Sequence, residues 1–141
     1  MRTRSAAFRN IGLLILRIGL GIMFILHGYP KLFGGPEMWE QVGSIAQGLG
    51  IESLPVFLGF LAGVVEFFGG IFLIIGAYFR ITLSFLIITM AVATTQHLIN
   101  GDPFAIFSHP IEIGIVFIAL LFIGPGKYSL SNRLKRHKRS W

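Results

Sequence analysis

One carboxylate, Glu66, lies near the middle of a long apolar stretch, Pro55–Ala77. The stretch has about the length that crosses the hydrocarbon core of a bilayer, roughly 20 residues. A charge at that depth costs about 2.5–3.5 kcal/mol on insertion scales, so such a side chain normally faces protein groups instead of lipid. A buried carboxylate needs a hydrogen-bond partner or a proton. Glu66 is therefore the first candidate for proton transfer.

Small residues surround Glu66 on its predicted helix. At 100° per residue, Glu66 shares one narrow stripe with Gly59, Gly63 and Gly70. Small residues on one face allow a neighbouring helix to come close. The stripe predicts that Glu66 points into a tight seam between two helices.

The preceding apolar run, residues 11–33, places Arg17, His27 and Lys31 in one sector of about 80°. A rise of 1.5 Å per residue puts Arg17 within about 5 Å of the depth of Glu66. We therefore predict an inner pair of Arg17 with Glu66. Two interpretations stay open, a functional pair and a structural ion pair that fixes the register of the helices.

A second polar tier is predicted close to the outer surface, above Glu66. Its members are His27, Lys31, Gln96, His97, His109 and Glu112. Because every predicted span contributes to the two tiers, we expect a cavity that opens outward. Within it, Glu66, His97 and His27 are the candidate catalytic groups, since imidazole and carboxylate exchange protons readily. The remaining polar residues are candidates for substrate binding: Arg17, Lys31, Gln96, His109 and Glu112.

The outer tier also has plainer interpretations. Polar residues are common at a membrane interface, and Lys31 could be a lysine that extends its amine toward the headgroups. A metal or haem site could use His27, His97, His109 and Glu112. No tight motif of the H-E-x-x-H or C-x-x-C-H type is present, so a metal or haem is the less favoured interpretation.

Composition sets the environment of these groups. The chain has 141 residues, of which 54% are hydrophobic and 13% charged, which is too apolar for a soluble domain. It contains no cysteine, which excludes disulfides, thiol relays and iron–sulfur ligation by the chain itself. The net charge of +6 comes from residues at the ends of apolar runs. Membrane topology therefore explains it better than nucleic-acid binding does.

The elements that must position the polar groups are helices. We predict an all-α integral membrane four-helix bundle formed by a single membrane domain, residues 1–141. Its spans are predicted at about 11–33, 55–77, 81–99 and 109–123, followed by a basic tail at 127–141. Helical spacing of apolar residues between the first two spans predicts a short interfacial amphipathic helix, with Trp39 at the headgroup level. A plain connector is the favoured role for this helix, and a lid over the bundle is the alternative.

Charge predicts the orientation of the spans. Most basic residues fall on one side: Arg2, Arg4, Arg9, Arg80, Lys127, Arg133, Lys135, Arg136, Lys138 and Arg139. The other side receives Lys31 together with acidic residues, namely Glu37, Glu40, Glu52 and Asp102. Under the positive-inside rule, both termini are predicted to be cytoplasmic, with an uncleaved basic N-terminus.

Two segments resemble a known family. LRIGLGIMFILHGYPKLFG at 16–34 and GVVEFFGGIFLIIGAYFR at 63–80 are similar to the first two helices of the DoxX family of small bacterial membrane proteins. His97 and the segment GPGKYSLS at 124–131 fit its later part, so the resemblance covers roughly residues 11–131. It implies a multi-pass protein of the bacterial inner membrane with links to redox chemistry, quinones or stress resistance. The family supplies no agreed catalytic set, so the candidate residues come from burial and geometry.

Two functions follow as hypotheses. The first is a quinone- or quinol-linked oxidoreductase component or stress-resistance subunit, in which quinone is the ligand. A partner subunit would supply the electrons, because the sequence indicates no bound cofactor, and a homodimer could complete the cavity. The alternative is a non-enzymatic membrane transport or binding bundle, or a scaffold subunit for a partner enzyme. Whether the chain is itself an enzyme is left open.

Overall fold

The computed structural model describes residues 2–45, 50–51 and 53–137. These residues form helices and no strands. The helices are α1 (Arg2–Phe33), α2 (Gly35–Gly43), α3 (Pro55–Ile75), α4 (Phe79–Ile99), α5 (Phe104–Ile123) and α6 (Leu130–His137). Four of them, α1, α3, α4 and α5, are long and apolar enough to cross a bilayer. The prediction of an all-α membrane bundle with four spans is confirmed.

Two helices begin earlier than the sequence predicted. α1 starts at Arg2 and α5 at Phe104, whereas the predicted spans begin at about residues 11 and 109. Pro110, next to the predicted start of the fourth span, lies inside α5. The extended backbone of Pro103 (φ −66°, ψ 158°) starts the helix instead. An extended residue before the first turn is the normal geometry of a helix N-terminus.

α1 and α3 pack antiparallel along a seam of glycines. A Cβ atom on Gly70 would lie 2.6 Å from Gly21 O, and one on Gly28 would overlap the backbone of Phe67. Gly63 meets Leu32 in the same way, with 2.8 Å between a Cβ and Leu32 N. The predicted glycine stripe thus lies at a close contact between helices, as small residues permit.

α2 covers the first turns of α3. Gly43 packs on Pro55 and Gly59 packs on Trp39, in both cases so closely that a Cβ atom would overlap a backbone carbonyl. Trp39 Nε1 donates a hydrogen bond of 2.8 Å to Lys31 O, which ties α2 to the end of α1. The predicted short helix is therefore confirmed, while residues 46–49 and 52 of the following loop lie outside the described part.

The apolar core fills one half of the bundle, near the chain's basic ends. Its buried residues include Leu73, Leu83, Phe117 and Leu120, and the Phe24 ring packs on Phe117 with centroids 5.1 Å apart. These positions lie in the last turns of α3 and α5 and the first turns of α4. The other half of the bundle contains Lys31, Glu66, His97 and His109.

Candidate functional site

The centre of the candidate site is an ion pair between α1 and α3. Lys31 Nζ donates to both carboxylate oxygens of Glu66, at 2.7 and 2.8 Å. The Glu66 side chain is 5% exposed, whereas that of Lys31 is 32% exposed. The pair therefore joins a buried acid to an amine that reaches toward the outside.

Arg17 takes no part in this pair, so the predicted ion pair of Arg17 with Glu66 is wrong. The guanidinium of Arg17, 1% exposed, donates instead to four backbone carbonyls. These are Leu73 O at 3.0 Å, Ile74 O at 2.6 Å, Pro125 O at 2.8 Å and Tyr128 O at 3.1 Å. The carbonyls at the end of α3 lack partners within their own helix, and Arg17 supplies donors for them.

The helices are offset along their axes, which explains the wrong pairing. The predicted depths assume that both spans cross the same layer, about 30 Å thick, from one boundary to the other. In the structure, Gly28 of α1 contacts the backbone of Phe67 in α3. From this contact, α1 continues for only about 8 Å to its end at Phe33. In the same direction, α3 continues for about 17 Å from Glu66 to its first residue, Pro55. α2 covers the excess length. This offset moves Arg17 to the end of α3 and brings Lys31 to Glu66.

A cavity of about 260 Å³ lies on one side of the ion pair, and we call it the histidine cavity. Residues from all four spans line it: Leu20, Met23, Phe24, His27 and Lys31 of α1, Glu66 of α3, Met90, Ala93 and His97 of α4, and His109, Pro110 and Ile113 of α5. Five of the predicted site residues thus line one space, as the two tiers had suggested.

A second cavity of about 330 Å³ lies on the other side, between α2, α3 and α4. It shares Lys31, Glu66 and Ala93 with the histidine cavity. The rest of its lining is almost wholly apolar, with residues such as Leu61, Val65 and Ile88. We call it the apolar cavity. The ion pair therefore borders one space that three histidines help to line and a second space that is almost wholly apolar.

His97 has a carboxylate partner that the sequence analysis did not assign to the site. Its Nδ1 lies 2.7 Å from Asp102 Oδ2, and Asp102 N donates to His97 O at 3.0 Å. A carboxylate beside Nδ1 favours the tautomer with the proton on that nitrogen, which leaves Nε2 as a hydrogen-bond acceptor. The turn Asn100–Gly101–Asp102–Pro103, which folds the chain back after α4, was the signal that could have found this pair.

Besides Arg17, two further predicted binding residues lie apart from both cavities. Gln96 Nε2 donates to Asn100 Oδ1 at 2.9 Å within its own helix end. Glu112 is exposed on α5 and belongs to neither cavity lining. The predicted gathering of these two residues around the site is therefore wrong.

The assembled groups can exchange protons. Three imidazoles, one amine and one carboxylate face the histidine cavity, and an apolar wall continues beyond them. Among residues 2–45, 50–51 and 53–137, no group of three or more His, Asp or Glu side chains is arranged to hold a metal ion.

Comparison with known proteins identifies relatives along most of the chain. Residues 12–100 match the family model DoxX. "Inner membrane protein YphA" of Escherichia coli (strain K12) is 29% identical over 135 residues, covering 90% of this chain and 93% of the relative. An "Uncharacterized protein" of Haemophilus influenzae is 32% identical over 134 residues, covering 89% and 92%. "Putative oxidoreductase CatD" of Bacillus subtilis (strain 168) is 33% identical over 88 residues, 57% of this chain and 60% of the relative. No solved structure matches the chain.

Proposed function

The chain belongs to the DoxX family, and we propose that it binds a quinone or quinol at the Lys31–Glu66 pair as a redox-linked component of the bacterial inner membrane. The name of the Escherichia coli relative supports the inner-membrane location. The name of the Bacillus subtilis relative supports a redox link. Both termini are proposed to be cytoplasmic, because the basic residues are concentrated there.

The observation that carries the proposal is the position of the ion pair between the two cavities. A quinone has a polar head with carbonyl oxygens and an apolar tail. The histidine cavity offers donors to the head, and the apolar cavity offers aliphatic and aromatic surface to the tail. The volume of the apolar cavity alone, about 330 Å³, lies in the range of about 300–1,000 Å³ that small-molecule sites occupy.

The surroundings of each side chain determine the role that we propose for it. His97, oriented by Asp102, is placed to give or take a proton at one head oxygen through Nε2. His27 and His109 line the same space and supply further donors. Glu66 and Lys31 are hydrogen-bonded to each other and supply a second proton-exchanging pair. The electrons would come from a partner subunit, and the chain's own part is to bind, orient and exchange protons.

Tryptophan fluorescence provides the test. The chain has two tryptophans, and Trp39 bonds to Lys31 O, so a Trp141→Phe background leaves one reporter beside the site. Decylubiquinone should quench this fluorescence in a saturable manner, because quinones quench indole emission at short range. In the same background, Glu66→Gln should weaken binding at least tenfold, corresponding to about 1.4 kcal/mol.

Glu112→Gln is the matched control, since it removes the same charge from a residue outside both cavities. We expect its affinity to stay within twofold of the parent. Equal affinities for the parent, Glu66→Gln and Glu112→Gln would contradict the proposal.

A second candidate function is proton-coupled transport or binding without redox chemistry. It is favoured by one observation: the ion pair separates two cavities, as a gate in a pathway would. Ionisable groups at this depth are typical of proton relays. Proteoliposomes distinguish the two functions. Proton uptake without a redox partner, lost in Glu66→Gln, would favour transport, and its absence would favour the quinone site.

A further inference from the structure

A third cavity lies at the opposite end of the bundle, where the chain is basic. It has a volume of about 390 Å³. Its lining is Arg9, Asn10, Ile123, Pro125, Gly126, Lys127, Ser131 and Asn132. It differs from the other two cavities because its polar side chains are cationic or neutral. We call it the basic cavity.

Hydrogen bonds hold the wall of the basic cavity in place. Asn10 Oδ1 accepts from Lys127 N at 2.9 Å, which fixes the turn after α5 onto α1. From the other side, Arg17 donates to Pro125 O at 2.8 Å. Ser129 Oγ donates to Gly126 O at 2.8 Å within the same turn. The turn is therefore preorganised by a buried arginine, and little ordering is left for a ligand to impose.

The charge of the basic cavity is one-sided. Arg9 and Lys127 are both exposed, and within the described part of the chain neither forms an ion pair. No acidic residue precedes Glu37 or follows Glu112 in the sequence. The segments that line the cavity, 9–10 and 123–132, therefore contain no Asp or Glu. The site favours an anion and repels a cation.

α6 places the basic cavity at the level of the lipid headgroups. The helix begins at Leu130, beside the cavity, and its Leu130 and Leu134 are both exposed and lie one turn apart. Exposed leucines beside basic residues are typical of a helix that lies in the interface plane. Arg9 and Ile123 mark the same level, where the apolar parts of α1 and α5 end.

We infer that the basic cavity binds the phosphate of an anionic lipid headgroup. Arg9 and Lys127 supply charge-assisted hydrogen bonds to the phosphate oxygens, and Ser131 and Asn132 supply neutral polar groups. Basic pockets between membrane helices recognise lipid headgroups in this way. A free phosphate ion shares this chemistry, so the experiment must separate the two sources. The inference does not depend on the proposed quinone site.

Native mass spectrometry of the detergent-solubilised full chain tests the inference by titration with dihexanoylphosphatidylglycerol, dihexanoylphosphatidylcholine and inorganic phosphate. We expect one phosphatidylglycerol per chain, bound at least tenfold more tightly than the other two. Arg9→Gln with Lys127→Gln should weaken that binding at least tenfold. Arg4→Gln with Arg80→Gln removes the same charge from exposed residues outside the cavity and should change it less than threefold.

A second variant keeps all charges and removes the space. Ser131→Phe would fill the basic cavity, so phosphatidylglycerol should again bind at least tenfold more weakly. If both double variants lost the same amount of phosphatidylglycerol affinity, the lipid would be held by unspecific charge attraction. That result would overturn the proposed site. Equally tight phosphatidylcholine, or free phosphate bound as tightly as the lipid, would overturn an anionic lipid as the ligand.

Discussion

Arg17 and Glu66 are both buried charged groups on the same helix seam, but their hydrogen-bond partners differ in kind. Arg17 donates only to backbone carbonyls, in the half of the bundle that contains the apolar core. Lys31 and Glu66 bond to each other, with a cavity on either side. A backbone carbonyl is a neutral acceptor that is fixed in position. A carboxylate and an amine, in contrast, can gain or lose protons and can change their hydrogen-bond partners.

The difference distinguishes a structural anchor, Arg17, from a candidate site, the Lys31–Glu66 pair. Arg17 joins the end of α3 to the turn after α5, so its role is to hold helices together. The Lys31–Glu66 pair lies where packing is incomplete, so a ligand can reach it. Burial of a charge alone does not indicate function, and what satisfies the charge is the more informative property.

The largest effect is expected from Arg17→Ala. It leaves four backbone carbonyls without their donor, and hydrogen bonds to charged groups contribute about 1.5–3 kcal/mol each. We predict a loss of at least about 4 kcal/mol in the free energy of unfolding. Unfolding in SDS–detergent mixtures, followed by circular dichroism, measures it. Arg17→Lys should recover only part of this lost stability. An alanine variant as stable as the parent would contradict the structural role of Arg17.

Gly28→Ala should disrupt the close contact between α1 and α3 beside Glu66. Its Cβ would overlap the backbone of Phe67 next to Glu66, and overpacking typically costs about 1–3 kcal/mol. We predict that loss in the same unfolding assay, together with weaker decylubiquinone quenching. Gly19→Ala on the same helix has nothing within 4 Å of its Cβ and is the control. Equal behaviour of the two variants would contradict the close contact at Glu66.

Asp102→Asn should have a smaller effect, confined to the ligand. The His97–Asp102 pair is partly exposed, so its loss should cost less than about 1 kcal/mol of stability. Quinone affinity should fall severalfold, because the carboxylate no longer fixes the imidazole tautomer. Fluorescence titrations at several pH values measure this, with Asp102→Glu as the conservative control. An unchanged pH profile would contradict the positioning role.

Gln96→Ala should have the smallest effect. Its side chain bonds only to Asn100 at the end of α4 and reaches neither cavity. Stability should stay within about 0.5 kcal/mol of the parent, and quinone affinity should not change. Lost binding in the same fluorescence titration would place Gln96 in the site after all.

The sequence predicted the spans and most of the cavity because those depend on short-range patterns. Apolar length set the number of helices, and the glycine stripe indicated the α1–α3 seam. The partner of Glu66 depended on how far two helices slide along each other, which is set by tertiary contacts such as Gly28 on Phe67 and Gly43 on Pro55. No local pattern encodes that offset, and so Arg17 was chosen in place of Lys31.

The most direct test of the site is a double-mutant cycle on decylubiquinone affinity, using Lys31→Met, Glu66→Gln and the double variant. If the two side chains act as one unit in the site, the double variant should bind no more weakly than the weaker single variant, with a coupling of about 1–3 kcal/mol. Additive losses, or no loss in either single variant, would contradict a site built on the Lys31–Glu66 pair.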